Sequence, residues 1–201
     1  MFSNPRREIR LTPILEHFFL KEDRGTTMGI PESKASGKGG NTPRETPKPE
    51  PVFMEYAEHG IVGRRPTMED AHLLEAPWVD DSSAIFGVFD GHFGTKCSVF
   101  VSQKLPETLK AHPKFNEDVQ LALKESFLHV DKEFLKQAVA EKLGDGSTGI
   151  VTLIKNEKIY CANTGDSRGV LCEGGKAVAL SEDHKPEVPK ELARYLFREY
   201  L

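Results

Sequence analysis

Ala84-Ile85-Phe86-Gly87-Val88-Phe89-Asp90-Gly91-His92-Phe93-Gly94 is a run of Ile, Val and Phe that ends abruptly in an acid, a glycine and a histidine. An apolar run of that length and composition reads as a buried strand. A carboxylate at the mouth of such a strand is costly unless something cationic meets it, because an isolated buried charge loses its hydration. A divalent metal answers that need. Asp90 would ligate through its side chain, and Gly91, which has no Cβ, lets the backbone come close enough to add its carbonyl. His92 then faces whatever the metal holds. The plain alternative for an Asp-Gly-His on its own is a strand closed by an Asx-type turn, and the neighbouring segments must decide between the two.

Upstream, residues 52–62 read as a first strand and turn. Arg65-Pro66-Thr67-Met68-Glu69-Asp70 follows, with Ala71, His72, Leu73 and Leu74 continuing as a strand. In an extended segment Glu69 and Asp70 point to opposite faces, so one of them reaches an interior metal. Arg65 adds a planar cation suited to two-pronged phosphate binding. Standing alone, this segment reads as a solvated charge cluster at a strand start.

Downstream the period turns helical. Residues 96–111 space Val99, Phe100, Leu105 and Leu109 on one side, with a break or kink expected at Pro106. Residues 116–143 carry a longer stripe of Val119, Leu123, Phe127, Val130, Phe134, Leu135 and Val139, a core face with no chemistry assigned. Strands then return. Gly146-Ser147-Thr148-Gly149 opens a strand over 150–154, Asn156-Glu157 turns it back over 158–163, and Gly165-Asp166-Ser167-Arg168 stands at the next strand end. A hairpin turning at Gly174-Gly175 leads to Ser181-Glu182-Asp183-His184-Lys185-Pro186. The pattern is a helical pair between runs of antiparallel strands.

The 201 residues are 38% hydrophobic and 29% charged, ordinary for a soluble globular chain. No apolar run is long enough to span a membrane. Residues 1–51 carry 9 Lys/Arg against 7 Asp/Glu and residues 52–201 carry 18 against 24, giving +2 and -6 and the total of -4. An acidic folded part argues against a nucleic-acid partner and suits metal-binding carboxylates. Cys97, Cys161 and Cys172 form no even framework and no Cys-x-x-Cys, so they read as reduced thiols in an intracellular protein.

Residues 5–21 suggest a short amphipathic segment interrupted by Pro13, too polar for a secretory signal. Residues 25–51, rich in Gly, Pro, Ser, Lys, Thr and Glu, read as disordered linker. Residues 1–51 are therefore expected to be a disordered extension and 52–201 the folded domain. Within the linker Met28-Gly29-Ile30-Pro31-Glu32-Ser33 fits the pattern for myristoylation of Gly29, which applies only if translation begins at Met28. Otherwise it is plain linker.

Asp90, Glu69, Asp70 and Asp166 all fall at strand ends, with Arg65 and His92 in the same motifs. Oxygen ligands select Mg²⁺ or Mn²⁺ over zinc, and two such ions can acidify a shared water for attack on a phosphate ester.

Taken together and in order, Arg65-x-x-Met68-Glu69-Asp70, Val88-Phe89-Asp90-Gly91-His92-x-Gly94, Gly146-Ser147-Thr148, Gly165-Asp166-Ser167-Arg168 and Asp183-His184-Lys185-Pro186 resemble the PP2C, or PPM, family of metal-dependent protein serine/threonine phosphatases. The resemblance covers essentially all of residues 52–186. It implies an α/β (α+β) fold, a sandwich of two antiparallel sheets flanked by helices. It also implies a two-metal Mg²⁺ or Mn²⁺ centre with a third, weaker site. By that resemblance Asp90 bridges the metals, Gly91 gives its carbonyl, Glu69 and Asp70 belong to the metal shell, and Asp166 serves the third site. Arg65 binds the phosphate and His92 protonates the leaving seryl or threonyl oxygen, with a metal-bridging water as nucleophile.

Phe93 departs from the family by placing a bulky ring where a small residue is usual, and Gly149 replaces the usual Ala. After Asp183-His184-Lys185-Pro186 the family continues with further strands, helices and metal-ligand aspartates, which this chain lacks. The expected fold is thus a sandwich incomplete at its C-terminus. Two functions stay open: a phosphatase acting on phosphoserine and phosphothreonine in proteins, and a catalytically inactive phosphatase-like binding or regulatory module. The expected partners are phosphorylated proteins, with no nucleic acid. The expected state is a monomer in the cytoplasm or nucleus, membrane-associated only if Gly29 becomes an acylated N-terminus.

Overall fold

The computed structural model of the chain describes residues 19–23 and 54–198. In chain order the elements are β1 (Phe19–Asp23), β2 (Ala71–Glu75), β3 (Ala84–Phe89), β4 (Gly91–His92), α1 (Lys96–Lys110), α2 (Val119–Glu141), β5 (Gly146–Ser147), β6 (Gly149–Lys155), β7 (Lys158–Thr164), β8 (Val170–Glu173), β9 (Lys176–Ala179) and α3 (Pro189–Arg198). A five-stranded antiparallel sheet runs β1-β7-β6-β3-β2, and β4-β5 and β8-β9 form two-stranded ribbons. The mixed architecture of antiparallel sheets and helices is the one expected from the alternation of periods.

The centre of the sheet is β3, paired on both edges and mostly buried. The register sets Gly87 opposite Leu73 on one side and Val151 on the other, so one row of side chains faces the helices. That face, with Leu73, Ile85, Phe89, Val151 and Leu153, packs on Leu105 and Leu109 of α1 and on Leu123 and Phe127 of α2. Each such side chain removed from water contributes roughly 1.5–3 kcal/mol. Helix α2 starts where the Asp118 carboxylate accepts from the Leu121 amide at 3.0 Å, and ends at Lys142 with φ 57°. On the opposite face Ile150 and Cys161 are covered by Leu180 and Leu171 around the β8-β9 ribbon.

Several local expectations are corrected. No strand forms in residues 54–62. Met54, Tyr56 and Glu58 instead line a groove over the sheet face with His72, Leu74 and Phe86, the Tyr56 and Phe86 rings 5.3 Å apart, so residues 54–59 lie over that face. Pro106 does not break α1, which continues through it with Pro106 itself buried. Tertiary packing there outweighs the proline penalty. On α2 the last turn buries Ala138 and leaves Val139 67% exposed. Within the stretch expected as disordered extension, Phe19–Asp23 is an edge strand on β7. The remainder of residues 1–51, including Met28 and Gly29, lies outside the described residues. The turns came as expected: Asn156 and Glu157 at φ 53° and 59°, Gly174 and Gly175 at 55° and 77°, all suit tight hairpins. Among the described residues no helix is long and apolar enough to cross a membrane.

Candidate active site

The site begins where β3 stops. Phe89 is fully buried and the next residue, Asp90, is half-buried, after which the chain leaves the large sheet to pair Gly91 with Ser147 and His92 with Gly146. Thr148 fixes this departure. Its hydroxyl accepts from the Asp90 amide at 3.1 Å, its own amide donates to the Asp90 carbonyl at 2.9 Å, and its hydroxyl also meets that of Ser167 at 2.7 Å. Both backbone polar groups of Asp90 are thereby held by one residue 58 positions away. His92 Nδ1 lies 3.0 Å from the same Asp90 carbonyl. Since a carbonyl only accepts, the contact selects the Nδ1–H tautomer and leaves Nε2 to exchange a proton with a ligand.

Gly91 is required by close approach. A Cβ there would collide with the Glu69 carbonyl and lie 2.8 Å from Ser98 Oγ. The fully buried Ser98 hydroxyl donates to the Glu69 carbonyl at 2.6 Å and also lies 3.1 Å from the Thr95 carbonyl. The first turn of α1 thus pins the Glu69-Asp70 segment against Gly91, beside Asp90. That turn is itself secured from outside. Thr95 makes no side-chain cap, and the Asp145 carboxylate accepts from the Lys96 amide at 3.0 Å in its place.

These constraints bring Arg65, Glu69, Asp70, Asp90 and Gly91 to one pocket of about 240 Å³, which Ile61, Val62 and Met68 also line. Thr67 Oγ1 donates to Glu69 at 3.1 Å. Three acidic residues and one arginine border this pocket, an excess of negative charge that a cation relieves. The donors, carboxylates and a backbone carbonyl, suit a hard divalent ion such as Mg²⁺ or Mn²⁺. Among the described residues no three His, Cys, Asp or Glu side chains converge as a ligand group. The pocket therefore fits such an ion in the kind of ligand, without closing a protein shell around it.

His92, the residue after Gly91, is exposed and is not among the residues that line this pocket. Asp166 does not line it either. It is exposed in the Gly165-Asp166-Ser167-Arg168 loop, one residue before the serine that touches Thr148. That loop is tied to the Asp183-His184 turn. The Arg168 guanidinium donates twice to Asp183 at 3.0 and 2.7 Å, the His184 amide donates to the Gly165 carbonyl at 2.9 Å, and the Gly165 amide donates to His184 Nδ1 at 3.2 Å. Hydrogen bonds from Arg168, assisted by Lys185, hold the Asp183 carboxyl down at about 2 against burial that would raise it. The last two motifs thus clamp one another and steady Ser167 beneath Thr148.

Sequence reasoning noted Gly146-Ser147-Thr148 as a motif without seeing that its threonine holds Asp90. Ser98 carried no signal at all, being one polar residue inside a helical pattern.

The family model described as protein phosphatase 2C matches residues 54–195. The chain belongs to the protein phosphatase 2C family. Among its relatives, the probable protein phosphatase 2C 55 of Oryza sativa subsp. japonica is 34% identical over 185 residues, covering 86% of this chain and 49% of the relative. The probable protein phosphatase 2C 59 of Arabidopsis thaliana is 38% identical over 142 residues, covering 70% of this chain and 46% of the relative. The crystal structure of serine-threonine phosphatase 2C from Toxoplasma gondii superposes with a TM-score of 0.61 at 26% identity, over 68% of this chain and 52% of that one. The chain thus spans about half the length, or less, of the curated relatives it matches. All the described pocket residues fall inside the stretch matched to protein phosphatase 2C.

Proposed function

We propose that this chain carries the phosphate-handling pocket of a metal-dependent protein serine/threonine phosphatase. The observation that supports this best is the meeting of Arg65, Glu69, Asp70, Asp90 and Gly91 in one pocket, from segments that only the fold brings together. Asp90, the Gly91 carbonyl and the Glu69-Asp70 pair would hold Mg²⁺ or Mn²⁺. When bound, such an ion lowers the pKa of water and neutralises charge on the phosphate. Arg65 binds and orients the phosphoryl oxygens in the pocket by paired hydrogen bonds. His92, with Nδ1 committed to the Asp90 carbonyl, offers Nε2 to carry a proton to the leaving seryl or threonyl oxygen. Thr148 and Ser98 keep the two acidic segments in register. The substrates proposed are phosphoserine and phosphothreonine in proteins.

Asp90→Asn tests the reading on the full chain, because it keeps the shape and removes the charge. The expected result is loss of the calorimetric heat of Mn²⁺ binding and of EDTA-sensitive hydrolysis of a phosphothreonine peptide, with thermal unfolding little changed. Retention of most Mn²⁺-dependent turnover overturns the assignment of Asp90. One observation favours a second reading, an inactive phosphatase-like binding module: the described side chains do not converge as a closed ligand group. Wild-type protein that binds phosphopeptide but neither takes up Mn²⁺ nor hydrolyses the peptide selects that second reading.

A further inference from the structure

Phe93 is 90% exposed, more than any other large apolar side chain among the described residues, and it sits at φ 61°. An aromatic residue gains nothing for the core when it stands in water, and the left-handed region is unfavourable for any residue with a Cβ. Neither packing nor backbone preference accounts for a phenylalanine here. Its position does. Gly91, two residues earlier, lines the pocket of Arg65, Glu69, Asp70 and Asp90, and two residues of chain reach at most about 7 Å. The same pocket is lined by Ile61, Val62 and Met68, which are 76%, 41% and 37% exposed. Exposed apolar side chains clustered around a charged centre mark a binding site.

We propose that Phe93, with Ile61, Val62 and Met68, forms an apolar shelf at the mouth of the pocket that receives an apolar side chain next to the phosphorylated residue of a substrate peptide. The shelf makes Phe93 a substrate-contacting specificity residue. The inference rests on the phosphatase reading above, since it is the phosphate in the pocket that places the neighbouring residue over the ring. A peptide is the occupant because Ile61, Val62 and Met68 line the same pocket as the phosphate-binding Arg65.

The test uses the full chain with Mn²⁺ and two peptides of one phosphothreonine sequence, one flanked by Leu and one by Ser, together with p-nitrophenyl phosphate, which has no flanking residue. Binding is read by fluorescence anisotropy and hydrolysis by phosphate release. Wild type should prefer the Leu-flanked peptide by about threefold to tenfold. In Phe93→Ala the preference should collapse towards one, the loss residing in KM and in peptide anisotropy and exceeding any change on p-nitrophenyl phosphate. Phe93→Tyr should restore it. An unchanged preference in Phe93→Ala, or no preference in wild type, overturns the inference and leaves the phosphatase reading standing. Equal losses on both peptides and on p-nitrophenyl phosphate also overturn it, since they report general damage to the pocket. Absence of any phosphopeptide binding by wild type overturns the phosphatase reading and this inference with it.

Discussion

Thr148→Val replaces a buried residue, 8% exposed, by one of nearly equal shape and so isolates what the hydroxyl does. Two contacts disappear: the 3.1 Å bond from the Asp90 amide and the 2.7 Å bond with Ser167. A hydrogen bond is worth about 1 kcal/mol net, but a partly buried donor left without a partner loses about 1–3 kcal/mol. The expected destabilisation is therefore about 2–3 kcal/mol. Thr148→Ser keeps both bonds and loses one methyl, which packs where a Cβ on Gly165 would lie. Its expected loss is about 1 kcal/mol. Urea unfolding followed by circular dichroism gives both values, with the m-value required to stay constant for the comparison to hold. Valine should be clearly worse than serine, and it should weaken Mn²⁺ binding as Asp90 loosens. If Val costs no more than Ser, the hydroxyl does not hold Asp90 and the account of the site's scaffold fails.

Gly91→Ala should destabilise by about 1–3 kcal/mol through the collision with the Glu69 carbonyl and weaken Mn²⁺ uptake, whereas Gly144→Ala, which meets nothing within 4 Å, should be near neutral; equal effects in calorimetry would refute the close-approach argument. Asp183 has a folded value of about 2 against an ordinary 3.8, so its contribution is fully present above pH 3.8 and is lost as pH falls towards 2. Because its partner Arg168 is largely exposed, that contribution should be about 1 kcal/mol, seen as a stability gap between wild type and Asp183→Asn at pH 6 that closes near pH 2. Burial first, then the charges of Asp131 and Asp145, push the Cys97 thiol up to about 12. Iodoacetamide at pH 8 should therefore label the exposed Cys172 and spare Cys97 and the buried Cys161 until urea unfolds the chain, as mass spectrometry of the labelled peptides would show.

What the sequence by itself determined was local or periodic. The apolar run 84–89 ends at Asp90 as a central strand, the stripe over 116–143 is a core helix, and Asn156-Glu157 and Gly174-Gly175 turn hairpins, because backbone propensity and side-chain period act over a few residues. The ordered motifs likewise carried the family and named the pocket residues Arg65, Glu69, Asp70, Asp90 and Gly91. Tertiary structure decided how those residues are held. Ser98 grips Glu69 across 29 positions, Thr148 grips Asp90 across 58, and Arg168 pairs with Asp183 across 15. It also decided that residues 54–59 lie over a sheet face, that Pro106 stays helical, and that neither Asp166 nor His92 lines the pocket. No period or propensity encodes such pairings: a hydroxyl in a helix or a threonine after a serine has many local partners, and only the packed chain selects the distant one by leaving a buried amide or carbonyl with no other way to be satisfied.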